Sequence, residues 1–263
     1  MSSIGVKRGS GSDVEKNPLG DVELSDEDAV KLQTVQKDIA RVELALERHA
    51  QKKMEPVYTR RRPIVKAINK FWPVALLNHP MVAMHIQHAS DQAALSYLED
   101  LWLVRDAAES RCFTLEFHFK ENPYFSNSVL KKEYKFMPPP VEADDKPDAD
   151  GITETMLEFT WERDVEPQAT KIEWKDDERN LTKLHARPAI GGGSFFNFFE
   201  VSSDPFELGV SIANDVFPEA IEYFLGQAGG DDSDSDEESD DDEDEDEEEI
   251  DLEKPRPKKQ KKA

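Results

Sequence analysis

Residues 25–70 read SDEDAVKLQTVQKDIARVELALERHAQKKMEPVYTRRRPIVKAINK, and the spacing of their apolar residues sets the architecture. Leu32, Val35, Ile39, Val42 and Leu46 recur at intervals of three and four, which is coiled-coil spacing. The next heptad positions fall on His49 and Lys53. The apolar series then resumes, displaced, at Ala50, Met54 and Val57, followed by Ile64, Val65 and Ile68. An extra step of about four residues unwinds a supercoil locally. Ser25 followed by Asp28 is an N-cap arrangement, and Asp26, Glu27 and Asp28 suit the positive end of a helix. Pro56 and Pro63 each remove a backbone hydrogen bond and predict a bend in the second half. Unbroken, the segment would form a rod of about 69 Å. A one-sided apolar stripe on so long a rod calls for a second helix, so the expected state is a homodimer. Leu32, Val35, Ile39, Val42, Leu46, Met54 and Val57 would form its seam. The alternative is a helix lying along its own domain.

Outward from this helix the pattern changes to α+β. FWPVALLNHPMVAMHI (71–86) is dense in apolar residues and punctuated by Pro73 and Pro80, as short packed helices are. DQAALSYLEDLWLVRD (91–106) begins helical and ends strand-like. Phe113, Leu115, Phe117 and Phe119 alternate with Thr114, Glu116, His118 and Lys120, the signature of a half-buried antiparallel strand. Residues 122–127 read as a turn and 129–136 as the next strand. Alternation at Leu157, Phe159 and Trp161, and at Thr170, Ile172 and Trp174, predicts two more, giving an antiparallel sheet of four to five strands with flanking helices. Residues 137–151, rich in Pro and Asp, and the basic stretch 179–188 read as unstructured loops. Gly191–Gly193 reads as a hinge, with Ser194 capping a short aromatic helix. Asp204-Pro205-Phe206-Glu207 reads as a capping box that opens a helix whose buried face is Phe206, Val210, Ala213 and Val216/Phe217. Glu207, Asn214 and Asp215 would then face solvent.

The chain holds 57 acidic and 33 basic residues in 263, a formal net charge of −24. Residues 231–253 carry 18 Asp or Glu in 23 positions, and the last ten residues carry six Lys or Arg. Half of the net charge therefore lies beyond residue 230 and half in the body. Such a chain repels phosphate backbones, so strong direct nucleic-acid binding is not expected and its partners should be polycations. Residues 1–24, Ser/Gly-rich and polar, lack the apolar run of a signal peptide and read as disordered. No membrane-spanning run exists, which predicts no membrane partner. Ser233, Ser235 and Ser239 sit among carboxylates as acidophilic kinase sites do, and KPRPKKQKK (254–262) has the composition of a nuclear-import signal or of an end that folds back on the acidic run.

Catalytic and metal signatures are weak. His85 and His88, three apart on an apparent helix, lack a third ligand and read as ordinary packed or surface histidines. Cys112, the single cysteine, has no local cationic activation. The Gly191–Gly193 run lacks the Lys-Ser/Thr of a phosphate loop. The reading is no enzyme, no metal and no cofactor.

Taken in order, FWPVALLNHPMV, ENPYFSNSVLKKEYKF, TKIEWKDDERNLTK, SFFNFFE and ELGVSIANDVFPEAIEYFL after a long helix, with an acidic C-terminus, resemble the nucleosome assembly protein family. Within it the chain is similar to fungal-type members of the SET / template-activating-factor branch. The resemblance, covering roughly 25–228, implies a dimerisation helix at 25–70, an α+β "earmuff" domain at 71–228 and an acidic tail at 229–263. It implies a nuclear histone chaperone that binds core histones for nucleosome assembly and disassembly, with shuttling to the cytoplasm left open. The matching histone-binding positions are Asn197, Glu200, Asp204 and Glu207, continued by Asp215, Glu219 and Glu222. Phe206 stands where an acidic residue often precedes Glu-Leu-Gly, and 137–151 is longer than the family's connection. The alternative is a regulatory binding protein, either a phosphatase inhibitor or a partner of a histone acetyltransferase.

Overall fold

A computed structural model describes residues 24–140, 145–186 and 193–228. The first helix, α1, spans Asp26–Lys66 and starts at the expected cap, with the Ser25 hydroxyl accepting from the Asp28 amide at 3.1 Å. It continues through Pro56 and Pro63. At 41 residues it is about 62 Å long. It stops before the expected end at Lys70 because the amides of Ala67 and Ile68 turn back on Ile64 and Val65, three residues earlier. Lys70 then takes a left-handed φ of 58°, which no α-helix can contain.

Short helices follow: α2 (Phe71–Asn78), α3 (Pro80–Ala83) and α4 (Ala89–Leu95). Strands β1 (Leu98–Arg105), β2 (Phe113–Phe119), β3 (Val129–Phe136) and β4 (Val165–Pro167) form one antiparallel sheet in the order 1-2-3-4. Phe113, Leu115, Phe117 and Phe119 are buried, as alternation required, and the register sets Leu101 and Leu130 beside Phe117. Lys132 stands on that same buried face between Leu130 and Tyr134. Its Nζ donates to the Val201 carbonyl at 2.5 Å, and burial lowers its pKa.

Two expected strands are absent from this sheet. Leu157 ends α5 (Glu154–Leu157) and Trp161 opens α6 (Trp161–Asp164); the Thr153 hydroxyl caps the first by accepting from the Met156 amide. Phe159, in the link between them, and Trp161 pack against the core, so the alternation imitates a strand. Residues 170–174 run extended, but their hydrogen bonds go elsewhere. The Thr170 amide donates to Phe199, Glu173 accepts from Ser126, and a single bridge joins Trp174 to Phe125. β4 at Val165–Pro167 takes their place at the sheet edge.

Both stretches read as unstructured loops hold local order. Asp145 accepts from the Glu154 amide and Asp148 from those of Asp150 and Ile152, which fixes the approach to α5. In 179–188, a 3₁₀ turn (Asp177–Arg179) leads to α7 (Leu181–Leu184), capped by the Asn180 side chain on the Lys183 amide. The last described residues form α8 (Asn197–Glu200), α9 (Leu208–Ser211), a π-turn (Ile212–Val216) and α10 (Ala220–Leu225). Phe195, Phe196, Phe198 and Phe199 are all buried against Phe117, Phe119, Phe125 and one another at ring separations of 5.0–6.4 Å.

α1 lies along this body by one face. Leu44 and Val65 are buried, and Arg62 Nε meets Asp100 Oδ2 at 2.6 Å. Arg41 reaches Asp148 at 3.3 Å and pairs with Glu154, while Arg61 Nη1 donates to the Pro218 carbonyl at 3.0 Å.

Candidate interaction surfaces

The opposite face of α1 is bare. Leu32, Val35, Ile39, Val42 and Leu46 are 52–64% exposed, and Met54 and Val57 are 40% exposed, whereas Leu44 on the body side is 6% exposed. One face of the helix thus covers its own domain, as the second alternative required, and the stripe faces away from it.

A run of carboxylates follows Glu207. Glu207, Asp215, Glu219 and Glu222 are exposed, and Asp215, Glu219 and Glu222 fall four and three residues apart along hydrogen-bonded turns, which places them on one side. Arg61 ties this segment to α1 by stacking over Tyr58 at 4.6 Å and Phe217 at 4.7 Å. His79 packs beneath it. Its Nδ1 accepts from the Val82 amide, and its Nε2 lies 3.8 Å from Asp215. Burial, opposed by Asp215, lowers the His79 pKa, and burial with Glu219 and Asp215 raises that of Tyr223.

The three earlier positions are built into the fold. Asn197 is half-buried. Glu200 accepts from the Trp174 indole at 3.1 Å. Asp204 accepts from the amides of Leu208 (3.0 Å) and Gly209 (2.8 Å) and from the Tyr134 hydroxyl. The expected capping box is therefore replaced. Glu207 has a left-handed φ of 52° and cannot reach back as a third helical residue would, so the helix starts at Leu208 with Asp204 as a distant cap.

Sequence reasoning missed the clasp that holds the aromatic segment. Asp91, fully buried in α4, accepts from the Ser194 hydroxyl at 2.7 Å and the Phe195 amide at 2.8 Å. Ser194 Oγ in turn accepts from the Phe196 amide, as expected of a cap. The partners lie 103 residues apart, so no local pattern signals the pairing. Burial raises the Asp91 pKa against these hydrogen bonds. Asp91→Ala leaves the Phe195 amide unpaired and should cost about 2 kcal/mol in urea unfolding. An unchanged midpoint would mean the clasp holds nothing.

His85 and His88 do not share a helix. His85 follows α3 and packs 4.9 Å from Phe206, and His88 precedes α4 and stacks on His185 at 3.7 Å. Among the described residues no group of three or more His, Cys, Asp or Glu could hold a metal, and no helix is long and apolar enough to cross a membrane. Burial, then Glu109 and Asp106, push the Cys112 thiol up to about 12, far from a nucleophile's range. The Ser233, Ser235 and Ser239 sites and the basic cluster at 254–262 lie outside the described residues, as do the ends of the chain and Gly191 and Gly192.

Comparison with known proteins gives one answer. A sequence model described as "Nucleosome assembly protein (NAP)" matches residues 65–227. Nucleosome assembly protein 1-like 1 of Xenopus tropicalis is 29% identical over 188 residues, covering 64% of this chain and 47% of that protein. The chain thus spans about half the length of the relatives it matches first. The crystal structure of Ccp1 shares the fold at a TM-score of 0.57 with 22% identity, covering 79% of this chain and 98% of that one. Nucleosome Assembly Protein 1 from Plasmodium knowlesi matches with a TM-score of 0.50 and 26% identity, over 78% and 99% of the two chains. The matched family is one of nucleosome assembly proteins rather than of enzymes. With the long helix, the four-stranded antiparallel sheet and the carboxylate-bearing C-terminal helices in place, this chain belongs to the nucleosome assembly protein family.

Proposed function

We propose that this chain is a nuclear histone chaperone of the SET / template-activating-factor branch. In this reading it works as a homodimer joined along the α1 stripe and organised as an α1-bearing segment (25–70), earmuff domain (71–228) and acidic tail (229–263). It binds core histones without catalysis and exchanges them during nucleosome assembly and disassembly. The observation that carries this is the set of exposed carboxylates Glu207, Asp215, Glu219 and Glu222 on a body of the family's fold. Asn197, Glu200 and Asp204 act mainly by shaping that surface, since their side chains are half-buried.

The chemistry suits a polycationic partner. A histone collapses onto DNA unless its charge is screened, and a fixed row of carboxylates supplies geometry while a polyanionic tail supplies fast, salt-dependent capture. Each exposed ion pair contributes under about 1 kcal/mol, so the cargo can be handed over step by step.

Removing residues 231–263 should weaken core-histone binding at low salt by about tenfold to a hundredfold, the work of roughly 1.4–2.7 kcal/mol, and flatten its salt dependence without abolishing binding. Titration by fluorescence anisotropy at two salt concentrations reads both. A truncated chain with no residual affinity would remove the body surface from the mechanism.

A further inference from the structure

A second surface feature is a cleft with apolar side chains at its mouth. Between the turn after α3 and the segment joining α8 to α9 lies a cleft of about 230 Å³, walled by Met84, His85, Phe195, Phe198, Val201 and Phe206. Met84 (53% exposed), Val201 (43%) and Phe206 (39%) gather at its mouth. The left-handed turn at Glu207 buries Leu208 and leaves Phe206 at the surface. A strained non-glycine φ of this kind persists only where the surroundings hold it. His85 lies against Phe206, and burial lowers its pKa despite Asp204, so at neutral pH it adds a neutral ring to the wall.

The rim is charged. Glu207 is exposed beside the opening, and Asp204 stands in the wall. The cation behind them, Lys132, is fully buried and spends its ammonium on the Val201 carbonyl. What reaches solvent is a hollow with Met84, Val201 and Phe206 at its mouth, the polar side chains of Gln87, Asn197 and Ser203 in its lining, and carboxylates beside it.

We propose that this cleft receives one bulky apolar side chain carried by a lysine- and arginine-rich segment of a core histone, whose flanking cations meet Glu207 and its neighbours. The inference rests on the histone-chaperone reading and adds to it a means of selection. Carboxylates alone accept any polycation, whereas a hollow of this size rewards only a basic segment that also carries a large apolar residue.

The test compares full-length wild type with Phe206→Ser, measuring binding of purified core histones and of polylysine at low and high salt. Phe206→Ser should weaken histone binding by about tenfold at both salts, since apolar burial is not screened, and leave polylysine binding unchanged. Val201→Ser, on the other side of the opening, should act in the same direction, and circular dichroism confirms that each variant is folded. Equal histone affinity of wild type and both folded variants overturns the proposal. So does an equal loss toward polylysine, which would mark a general electrostatic effect. A change in sedimentation of the free chain on Phe206→Ser also overturns it, because a second copy would then occupy the cleft. If wild type binds no histones, it is the chaperone reading that fails.

Discussion

Replacing Val35, Ile39, Val42 and Leu46 together with serine or asparagine should turn the proposed dimer into monomers, as read by sedimentation equilibrium. Each of these side chains is 52–58% exposed, or 64% for Leu46, and none touches the body side of α1. Burying what remains exposed is worth on the order of 1 kcal/mol per side chain. Eight such side chains in a two-fold pair give about 8 kcal/mol, roughly a millionfold in the dissociation constant. The fold of the body should survive, because Leu44, Val65 and the Arg62–Asp100 pair lie on the other face. An intact dimer would sink the assignment of the stripe. So would loss of the dimer together with the body's near-ultraviolet circular dichroism, which would mean that the four residues support the core.

The second large effect is expected from one methyl group. In Gly209→Ala the added Cβ would fall inside the van der Waals radii of the Tyr134 hydroxyl and ring. Tyr134 cannot easily yield: it is buried, its hydroxyl donates to Asp204, and Asp204 caps the start of α9 at Leu208 and Gly209. Overpacking at so constrained a place should cost about 3 kcal/mol, which for a body of this size lowers Tm by about 10 °C. In a Tyr134→Ala background the same substitution should cost far less, because the obstacle is gone. Equal penalties in both backgrounds would show that the clash lies elsewhere.

Period and caps made α1, β2 and β3 legible, since each has an apolar face long enough to repeat. The same rule failed at 157–161, where Leu157, Phe159 and Trp161 alternate across the end of one short helix, a link and the start of the next. It failed again at 170–174, whose extended backbone bonds to the 124–126 turn and to α8 rather than to the sheet. Glu207 defeated the capping-box pattern because one left-handed residue changes which side chain meets which amide. Of the candidate surface, Glu219 and Glu222 were reached only through the family resemblance, whereas the exposure of Asp215 followed from helical spacing. That Asp204 and Glu200 are held by Tyr134 and Trp174 did not, because those partners sit on β3 and on an irregular stretch. Lys132 was readable as part of a strand but not as a cation on its buried side.

The clasp at α4 has a topological meaning. Ser90 meets His185 at 2.7 Å and Asp91 meets Ser194 at 2.7 Å, so neighbouring residues of one helix grip the chain on both sides of 187–192. The connection is thereby closed at its base, independently of what it contains. For a loop closed in this way, each doubling of length costs only about 0.6 kcal/mol in closure entropy. The clasp thus fixes where the aromatic segment enters the core, whatever the length of chain between its two grips.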